Sequence, residues 1–345
     1  MPFSTTSSNN NGIIKSFGSC ELRTYRLAVS ATGEYTAFHG GSVAQALAAQ
    51  VTTMNRVNGV FERDISIRMN LIANNDLIIY TNAGTDPFTN GNAGAMINQN
   101  QTNTDAVIGS ANYDIGHIFG TNSGGLAQLY SPCSNNKARG VTGGPAPIGD
   151  PFDIDYVSHE MGHQFGANHT WTHNGNEGEN VQMEPGSGST IMGYAGITGS
   201  TNVQANSDPY FHAISIEQIT TYSKSISCAS TTNTGNTTPT VNAGSNLTLP
   251  IGTPFKLVGT GGDIDGDILT YCWEQIDENN AATTYPDASS TDSNSVLFRS
   301  YLPTTNNIRY FPNLSDLKFG INATQWEKIP NVNRTANFRL TVRDN

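Results

Sequence analysis

Charged side chains are scarce in this sequence, and those present leave it acidic. Asp, Glu, Lys and Arg make up 13% of the 345 residues, and the formal net charge is −11 at pH 7. No run of Lys or Arg occurs that would form a basic surface. Because nucleic acids and anionic membranes are bound through such surfaces, we expect neither as a partner.

Long apolar runs are absent as well. No stretch approaches the ~18–20 apolar residues of a transmembrane helix, and the N-terminus has neither the charged start nor the apolar core of an export signal. A polar composition that is poor in Lys is nevertheless common in secreted bacterial proteins. We therefore expect a secreted, extracellular monomer whose export signal and propeptide have been removed, with further polypeptide after Asn345.

Cysteine is rare, and no two cysteines have the Cys-x-x-Cys spacing of a cysteine zinc site. Cys133 and Cys228 lie on either side of the central part of the chain, and a disulfide between them would close a loop of ~95 residues. Cys20 and Cys272 are more ambiguous, and the simplest interpretation of each is a buried free thiol.

The most informative stretch is His159-Glu160-Met161-Gly162-His163-Gln164-Phe165-Gly166-Ala167-Asn168-His169. His159 and His163 are four residues apart, so on a helix they share one face and can bind one ion. Zinc in catalytic sites takes three protein ligands and keeps a position for water, which Glu160 can reach without binding the metal. Gly166 can end the helix with φ > 0, so that His169 returns to the same ion.

Chance does not explain this stretch, because the full spacing would arise in roughly one chain in a hundred thousand of this length. The alternative is an ordinary helix with surface histidines. His173 is a second candidate for the third ligand, but the spacing from Gly166 favours His169. His117 lies at helical spacing from no other ligand candidate, and we interpret it as structural.

A second match follows in Ser189-Thr190-Ile191-Met192-Gly193. The extended histidine motif followed by this methionine resembles the metzincin metallopeptidases. From about Cys20 to Cys228 the chain is most similar to the secreted bacterial form of the reprolysin/adamalysin branch. The likeness includes Gly125-Leu126-Ala127 followed by Cys133. Thr170 departs from the pattern, because the branch commonly has Asp after the third histidine.

The resemblance implies an α/β (α+β) catalytic domain with a twisted mixed sheet and an active-site helix. It implies that zinc is bound by His159, His163 and His169, with Glu160 as the catalytic residue. Met192 would form an apolar floor beneath the imidazoles. An edge strand at Gly125, Leu126 and Ala127 would bind substrate by strand addition, and Cys133 would pair with Cys228.

Apolar periodicity predicts the elements of the first 230 residues. Strands are predicted at 22–30, 60–72 and 113–119, and 77–80 is predicted to be a short strand or a continuation of the second. The resemblance implies a further strand, at a sheet edge, at 124–129, and the alternative for that stretch is a plain loop. Helices are predicted at 42–57, within 90–109, from about 152–156 to 165, and at 214–226.

Composition divides the chain into four parts: a flexible segment at 1–18, the zinc protease domain at 19–230, a linker at 231–240 and a β-rich domain at 241–345 that we expect to be truncated at its C-terminus. The short strands predicted after the linker favour an all-β sandwich. This part resembles polycystic-kidney-disease-type and related immunoglobulin-like modules, although the long segment 281–333 departs from a minimal module. Asp263, Asp265 and Asp267 are spaced as in short calcium loops, and they also fit a solvated turn.

These features predict a zinc endopeptidase that hydrolyses proteins with a zinc-activated water and Glu160 as general base. One alternative is a catalytically silent, protease-like adhesion protein, and another is a zinc enzyme with a non-protein substrate. The complete ligand set with Glu160 counts against the first, and the edge strand counts against the second. The C-terminal module is expected to serve cell-surface or matrix attachment, substrate docking or stability, so its deletion should spare small-peptide hydrolysis.

Overall fold

The computed structural model describes residues 2–5, 20–174, 177–280, 283–289 and 295–344. Its strands are numbered β1 to β14 in chain order: Pro2–Thr5, Glu21–Ala31, Ile67–Leu71, Ile115–Gly120, Gly124–Ala127, Gly140–Gly143, Ser230–Asn233, Thr240–Asn242, Leu247–Pro250, Phe255–Val258, Thr260–Gly262, Leu269–Gln275, Ile308–Phe311 and Phe338–Asp344. The α-helical segments are α1 to α7: Gly33–Phe38, Val43–Ile65, Ala93–Val107, Asp150–Phe152, His159–Gln164, Ala213–Ser225 and Leu314–Lys318.

Contacts divide the chain into two compact units. The sheet unit comprises Cys20–Ala167 and Ile216–Gly235, and the C-terminal unit comprises Asn168–Ser215 and Asn236–Asn345 together with the N-terminal residues. The domain boundaries drawn from composition divide the chain differently and stay a prediction. None of the helices in the described ranges is long and apolar enough to cross a membrane.

A mixed six-stranded sheet forms the centre of the sheet unit. The strand order is β3-β2-β4-β6-β5, and β7 pairs with the first residues of β2. The pairs β2–β3, β2–β4 and β4–β6 are parallel, whereas β5 and β7 are antiparallel to their neighbours. Every residue of β4 is buried, as expected for a central strand that is covered on both faces. The predicted mixed α/β architecture is therefore confirmed.

The predicted edge strand is present as β5, which lies at the end of the sheet order and pairs with β6. Gly125 and Leu126 are exposed, and Leu126 has 40% of its surface accessible. An edge strand offers unpaired backbone N–H and C=O groups to an added strand.

The longest helix, α2, corrects one prediction. Ser42 caps it by accepting a hydrogen bond from the Gln45 N–H, and the helix continues to Ile65, so the strand predicted at 60–72 is wrong for residues 60–65. Its buried face includes Met54, Val57, Phe61 and Ile65, spaced three or four residues apart. The strand β3 begins only at Ile67. The strand predicted at 77–80 is also wrong, because Asn75–Ile78 is a 3₁₀ turn and a single bridge joins Ile79 to Ala31.

The predicted disulfide between Cys133 and Cys228 is confirmed, with a Cα–Cα distance of 5.7 Å. It joins the loop after β5 to the chain that follows α6. The Tyr222 hydroxyl of α6 supports the same connection, because its oxygen lies 2.7 and 2.8 Å from the Tyr130 and Pro132 carbonyl oxygens, which share its one proton. Cys20 and Cys272 lie outside this disulfide; Cys272 is buried and Cys20 is half-buried.

Replacing both disulfide cysteines with serine should lower the free energy of unfolding by about 3 kcal/mol, because the bond removes chain entropy from the unfolded state. Denaturant unfolding monitored by circular dichroism measures this change. Cys20→Ser is the matched control, since it leaves the bond intact. Equal unfolding midpoints for the double variant and the control would contradict the prediction.

The C-terminal unit is rich in strands after residue 236. Within its described residues, four antiparallel two-stranded ladders form, namely β1–β9, β8–β11, β10–β13 and β12–β14. They enclose a core of mainly aromatic residues: Phe255, Trp273, Leu297, Phe298, Phe311, Ile329 and Leu340. An immunoglobulin-like sandwich stays a prediction. The strand β1 falls within the segment predicted to be flexible, and residues 6–18 of that segment lie outside the described residues.

Candidate metal centre and active site

The helix that carries the histidine motif is built in three pieces. It begins with α4, continues through a π-helical turn at Asp153–Ser158 and ends with α5. The π turn is held internally by the Ser158 hydroxyl, which donates to the Asp153 carbonyl at 2.8 Å. It is held to α2 by the Thr53 hydroxyl, which donates to the Asp153 carboxylate at 2.8 Å. The turn therefore fixes the start of α5, where the first candidate ligand lies.

Gly166 ends this helix as the sequence predicts. Its φ is +94°, a conformation that costs glycine nothing because it has no Cβ. The Gly166 N–H donates to the His163 carbonyl at 2.8 Å, and the Ala167 N–H donates to the Gly162 carbonyl at 3.0 Å. A Cβ at Gly166 would lie 2.3 Å from the Tyr130 ring, so the turn also needs the space.

His159, His163 and His169 each offer one imidazole nitrogen, and these atoms lie within 4.8 Å of one another. The Nε2 atoms of His159 and His163 are 3.1 Å apart. Two nitrogens bound tetrahedrally to one zinc at ~2.0–2.1 Å would be separated by roughly 3.3 Å. The spacing therefore fits a shared ion, and three imidazoles are a donor set typical of catalytic zinc.

Hydrogen bonds fix the orientation of two of these rings. His163 Nδ1 donates to the Ala167 carbonyl at 2.6 Å, since a carbonyl oxygen can only accept. This bond selects the tautomer whose Nε2 carries the lone pair that a metal needs. His169 Nδ1 lies 3.0 Å from the Glu177 carboxylate and is oriented in the same way. Sequence reasoning missed Glu177, which lies in a polar connector without a recognisable motif.

His169, and not His173, is the third histidine of the group. Its ring stacks on Trp171 with centroids 5.1 Å apart and meets the edge of Tyr194 at 4.6 Å. His173 packs on the Trp171 ring at 4.3 Å. The aromatic rings therefore hold both side chains, and only one of them offers a nitrogen close to the other two imidazoles.

Glu160 is buried, with 7% of its surface exposed, and lies against the edge strand. A Cβ added at Gly125 would be 1.9 Å from Glu160 Oε1, so a side chain at residue 125 would displace this carboxylate. Burial raises the pKa of the Glu160 carboxyl to about 8. A divalent cation at the imidazoles would lower this pKa, because a nearby positive charge favours the charged carboxylate.

Met192 is fully buried in the C-terminal unit. Its carbonyl accepts a hydrogen bond from the Thr170 N–H at 3.1 Å. Thr170 directly follows His169 in the chain. The methionine turn is thus joined through one backbone bond to the residue beside the third histidine.

A family model described as metallo-peptidase family M12B, reprolysin-like, matches residues 21–223, which is more than half of the chain. The chain belongs to this family. No curated protein matches it. One solved structure, described as a chaperone–substrate complex, is similar with a TM-score of 0.37 and 16% identity, covering 58% of this chain and 36% of that chain. A likeness at this level carries no argument.

As a member of the reprolysin-like family, the protein is a zinc metalloendopeptidase. The ion that the family uses fits the residues present. His159, His163 and His169 would hold it, with a backbone carbonyl and a carboxylate orienting two of the rings.

The metallopeptidase has a further buried carboxylate that sequence reasoning missed, at Glu184. It is 1% exposed and accepts the Thr170 hydroxyl at 2.6 Å. It also accepts the Ser189 and Thr190 N–H groups at 3.0 and 3.3 Å and the Thr190 hydroxyl. Thr170 stands where the branch commonly has Asp, and its hydroxyl is bonded to this buried carboxylate from a different place in the chain.

His117 of the metallopeptidase is fully buried in β4. Its Nδ1 lies 2.8 Å from Gln164 Oε1, and its Nε2 lies 2.9 Å from the Thr142 hydroxyl. Burial lowers the pKa of His117 to about 4, so the ring is neutral near pH 7. Gln164 also donates to the Gly116 carbonyl at 2.9 Å. His117 therefore joins the active-site helix to the sheet, in keeping with a structural role.

The acidic loop of the metallopeptidase folds as a turn. Carboxylate oxygens of Asp263, Asp265 and Asp267 lie within 4.8 Å of one another. However, Asp263 Oδ1 accepts the N–H groups of Asp265, Gly266 and Asp267 at 2.8, 2.9 and 3.2 Å. This pattern is that of an Asx turn, which accounts for the loop without an ion. Calcium binding stays a prediction without structural support.

Proposed function

We propose that this metallopeptidase is a secreted endopeptidase that uses Glu160 as the general base. The observation that carries the proposal is the position of Glu160. Its buried carboxylate follows the first histidine on the helix and lies against Gly125 of the exposed edge strand. A base in this place belongs to the helix that carries two candidate metal ligands and touches the strand to which an extended peptide can add.

The edge strand would orient the peptide. An extended substrate can pair with the outer edge of β5 through Gly125, Leu126 and Ala127. Because Gly125 has no side chain, the substrate backbone can approach the Glu160 carboxylate without obstruction. In strand addition the enzyme binds the substrate mainly through backbone hydrogen bonds, so substrates with many different side chains can bind. This property suits an enzyme that cleaves proteins.

Proton transfer would fall to Glu160. Zinc, when held by the three imidazoles, supplies a Lewis acid that polarises the scissile carbonyl and activates water. The Glu160 carboxylate would take a proton from the attacking water and donate it to the departing amine as the C–N bond breaks. Burial excludes competing water from this carboxylate. The silent adhesion protein, considered as an alternative, would have no use for such a base.

Secretion is supported by the Cys133–Cys228 disulfide, because such bonds persist in oxidising compartments and are rare in the cytosol. The low content of charged side chains agrees with it. Fractionation of the producing cells tests this part of the proposal. Retention of the folded, disulfide-bonded protein inside the cell would contradict it.

Cleavage of casein by the purified protein should stop on addition of a zinc chelator and resume on addition of zinc. His169→Ala should lower the zinc content and should not be rescued by zinc at the concentration that restores the parent. His173→Ala is the matched control, because its imidazole is outside the group of three, and it should retain zinc. A folded, zinc-loaded parent protein that leaves casein intact would overturn the proposed function.

A further inference from the structure

The segment Asn168–Ser215 begins beside the third histidine, ends in the first turn of α6 and has little regular structure. Its residues 181–193 contain no helix or strand, yet every one of them is buried. Buried backbone groups must find hydrogen-bond partners, and an irregular segment cannot supply them through a ladder. This segment includes Met192 and Glu184, so its position bears directly on the region around His169.

Residues of the C-terminal module, Asn236–Asn345, supply several of these partners. The Gly186 N–H donates to the Thr284 carbonyl at 2.7 Å. The Asn279 N–H donates to the Gln182 carbonyl at 2.9 Å. The Ser189 hydroxyl donates to the Ser300 carbonyl at 3.1 Å. Ser189 directly precedes Thr190, whose hydroxyl donates to Glu184.

The end of the segment is held by buried charged groups of β12 and β14. The Glu274 carboxylate accepts the Ala213 N–H at 2.9 Å. Arg343 donates to the Phe211 carbonyl at 3.2 Å. Glu274 is fully buried and Arg343 is 4% exposed. Burying a charged side chain is costly unless it is hydrogen-bonded, so the contacts of Glu274 and Arg343 with Ala213 and Phe211 help to stabilise the interior of the unit.

Aromatic residues of the module also pack against the segment. A Cβ placed on Gly186 would lie 2.5 Å from the Trp326 ring, so this glycine lies directly against the indole. Trp326 stacks on Tyr285 with centroids 5.0 Å apart and planes 19° apart. The Tyr285 hydroxyl donates to the Ser200 carbonyl at 2.6 Å.

On the basis of the function proposed above, we propose that the C-terminal module is a positioning part of the catalytic apparatus. Its residues hold Asn168–Ser215, the segment that carries the third histidine and the methionine turn, in one compact unit. This reverses the expectation that the module is an accessory whose deletion spares small-peptide hydrolysis. The module acts through the segment and does not itself contact the reacting atoms.

The first test cuts the full chain between the segment and the module. A site for a sequence-specific processing protease is inserted after Gly235, which is exposed. After cutting, the two parts should elute together on gel filtration in native buffer and separate only in denaturant. Elution of a free module while the remaining chain stays folded would overturn the proposal. This readout does not depend on peptidase activity.

The second test uses point variants in the intact chain. Trp326→Ala removes the ring that contacts Gly186, whereas Phe319→Ala removes an aromatic ring that is 84% exposed on the same module. Zinc release is followed with a chromophoric chelator well below the unfolding temperature of both variants. Trp326→Ala should release zinc ~10-fold faster than the parent, the scale on which loss of a ligand-orienting group acts. Phe319→Ala should match the parent.

A purely structural role for Trp326 would lower the unfolding temperature and leave the rate of zinc release unchanged, and that result would overturn the proposal. Failure of the proposed function is distinguishable. In that case the parent protein binds zinc without cleaving casein, while the elution and zinc-release results still report on the module.

Discussion

The variant Glu160→Gln should keep its fold and its zinc but lose about a thousandfold in kcat/KM, since general-base catalysis contributes roughly 10²–10⁴-fold. The amide has nearly the same shape as the carboxylate and fits the same space beside Gly125. However, it cannot take a proton from the attacking water. Peptide hydrolysis rates, zinc content and circular dichroism together measure this outcome.

The control for this prediction is Glu179→Gln, which makes the same chemical change at an exposed position of the connector. It should leave kcat/KM near that of the parent. Retained activity in Glu160→Gln with full zinc content would remove Glu160 from the mechanism. Loss of zinc from Glu160→Gln would also contradict the prediction, because it would show that the carboxylate acts on the metal site and not on the proton.

The candidate zinc ligands could be predicted from the sequence because local geometry places them. Helical spacing puts His159 and His163 on one face, and a glycine with positive φ turns the chain toward His169. The structure groups the same three side chains. Such short-range relations depend on backbone geometry alone, so a single sequence is enough to read them.

The elements around Ile65 show where periodicity becomes ambiguous. Residues 54, 57, 61 and 65 follow a helical period, whereas residues 65, 67, 69 and 71 alternate as in a strand. Both patterns share Ile65, and the chain changes from helix to strand through Ser66, which has φ +54°. The sequence could not show which period holds from residue 60 to residue 65, because contacts with the sheet decide it.

Long-range contacts were beyond sequence reasoning for a different physical reason. Glu184 and Trp326 lie in stretches without regular periodicity, and nothing in their local spacing indicates a partner. Their roles arise because loops distant in sequence meet in one buried region. The resemblance pointed to an unusual residue at Thr170, but the carboxylate that accepts its hydroxyl could be found only in three dimensions.

The variant Glu184→Ala should lower the free energy of unfolding of the metal-free protein by about 3 kcal/mol. The Ser189 and Thr190 N–H groups would be left buried without their acceptor, at roughly 1–3 kcal/mol each. Zinc affinity should also fall, by roughly 10–100-fold, because Thr170 beside the third histidine loses its partner. Glu184→Gln keeps one carbonyl oxygen as an acceptor and should lie between the parent and the alanine variant.

Denaturant unfolding without metal and zinc competition against a chromophoric chelator separate the two effects, since bound zinc would itself stabilise the fold. Glu179→Ala, an exposed glutamate five residues earlier, is the matched control and should change neither quantity. A loss of stability with unchanged zinc affinity would limit Glu184 to holding the methionine turn. A loss of both, graded through the glutamine variant, would show that this carboxylate also positions the third ligand.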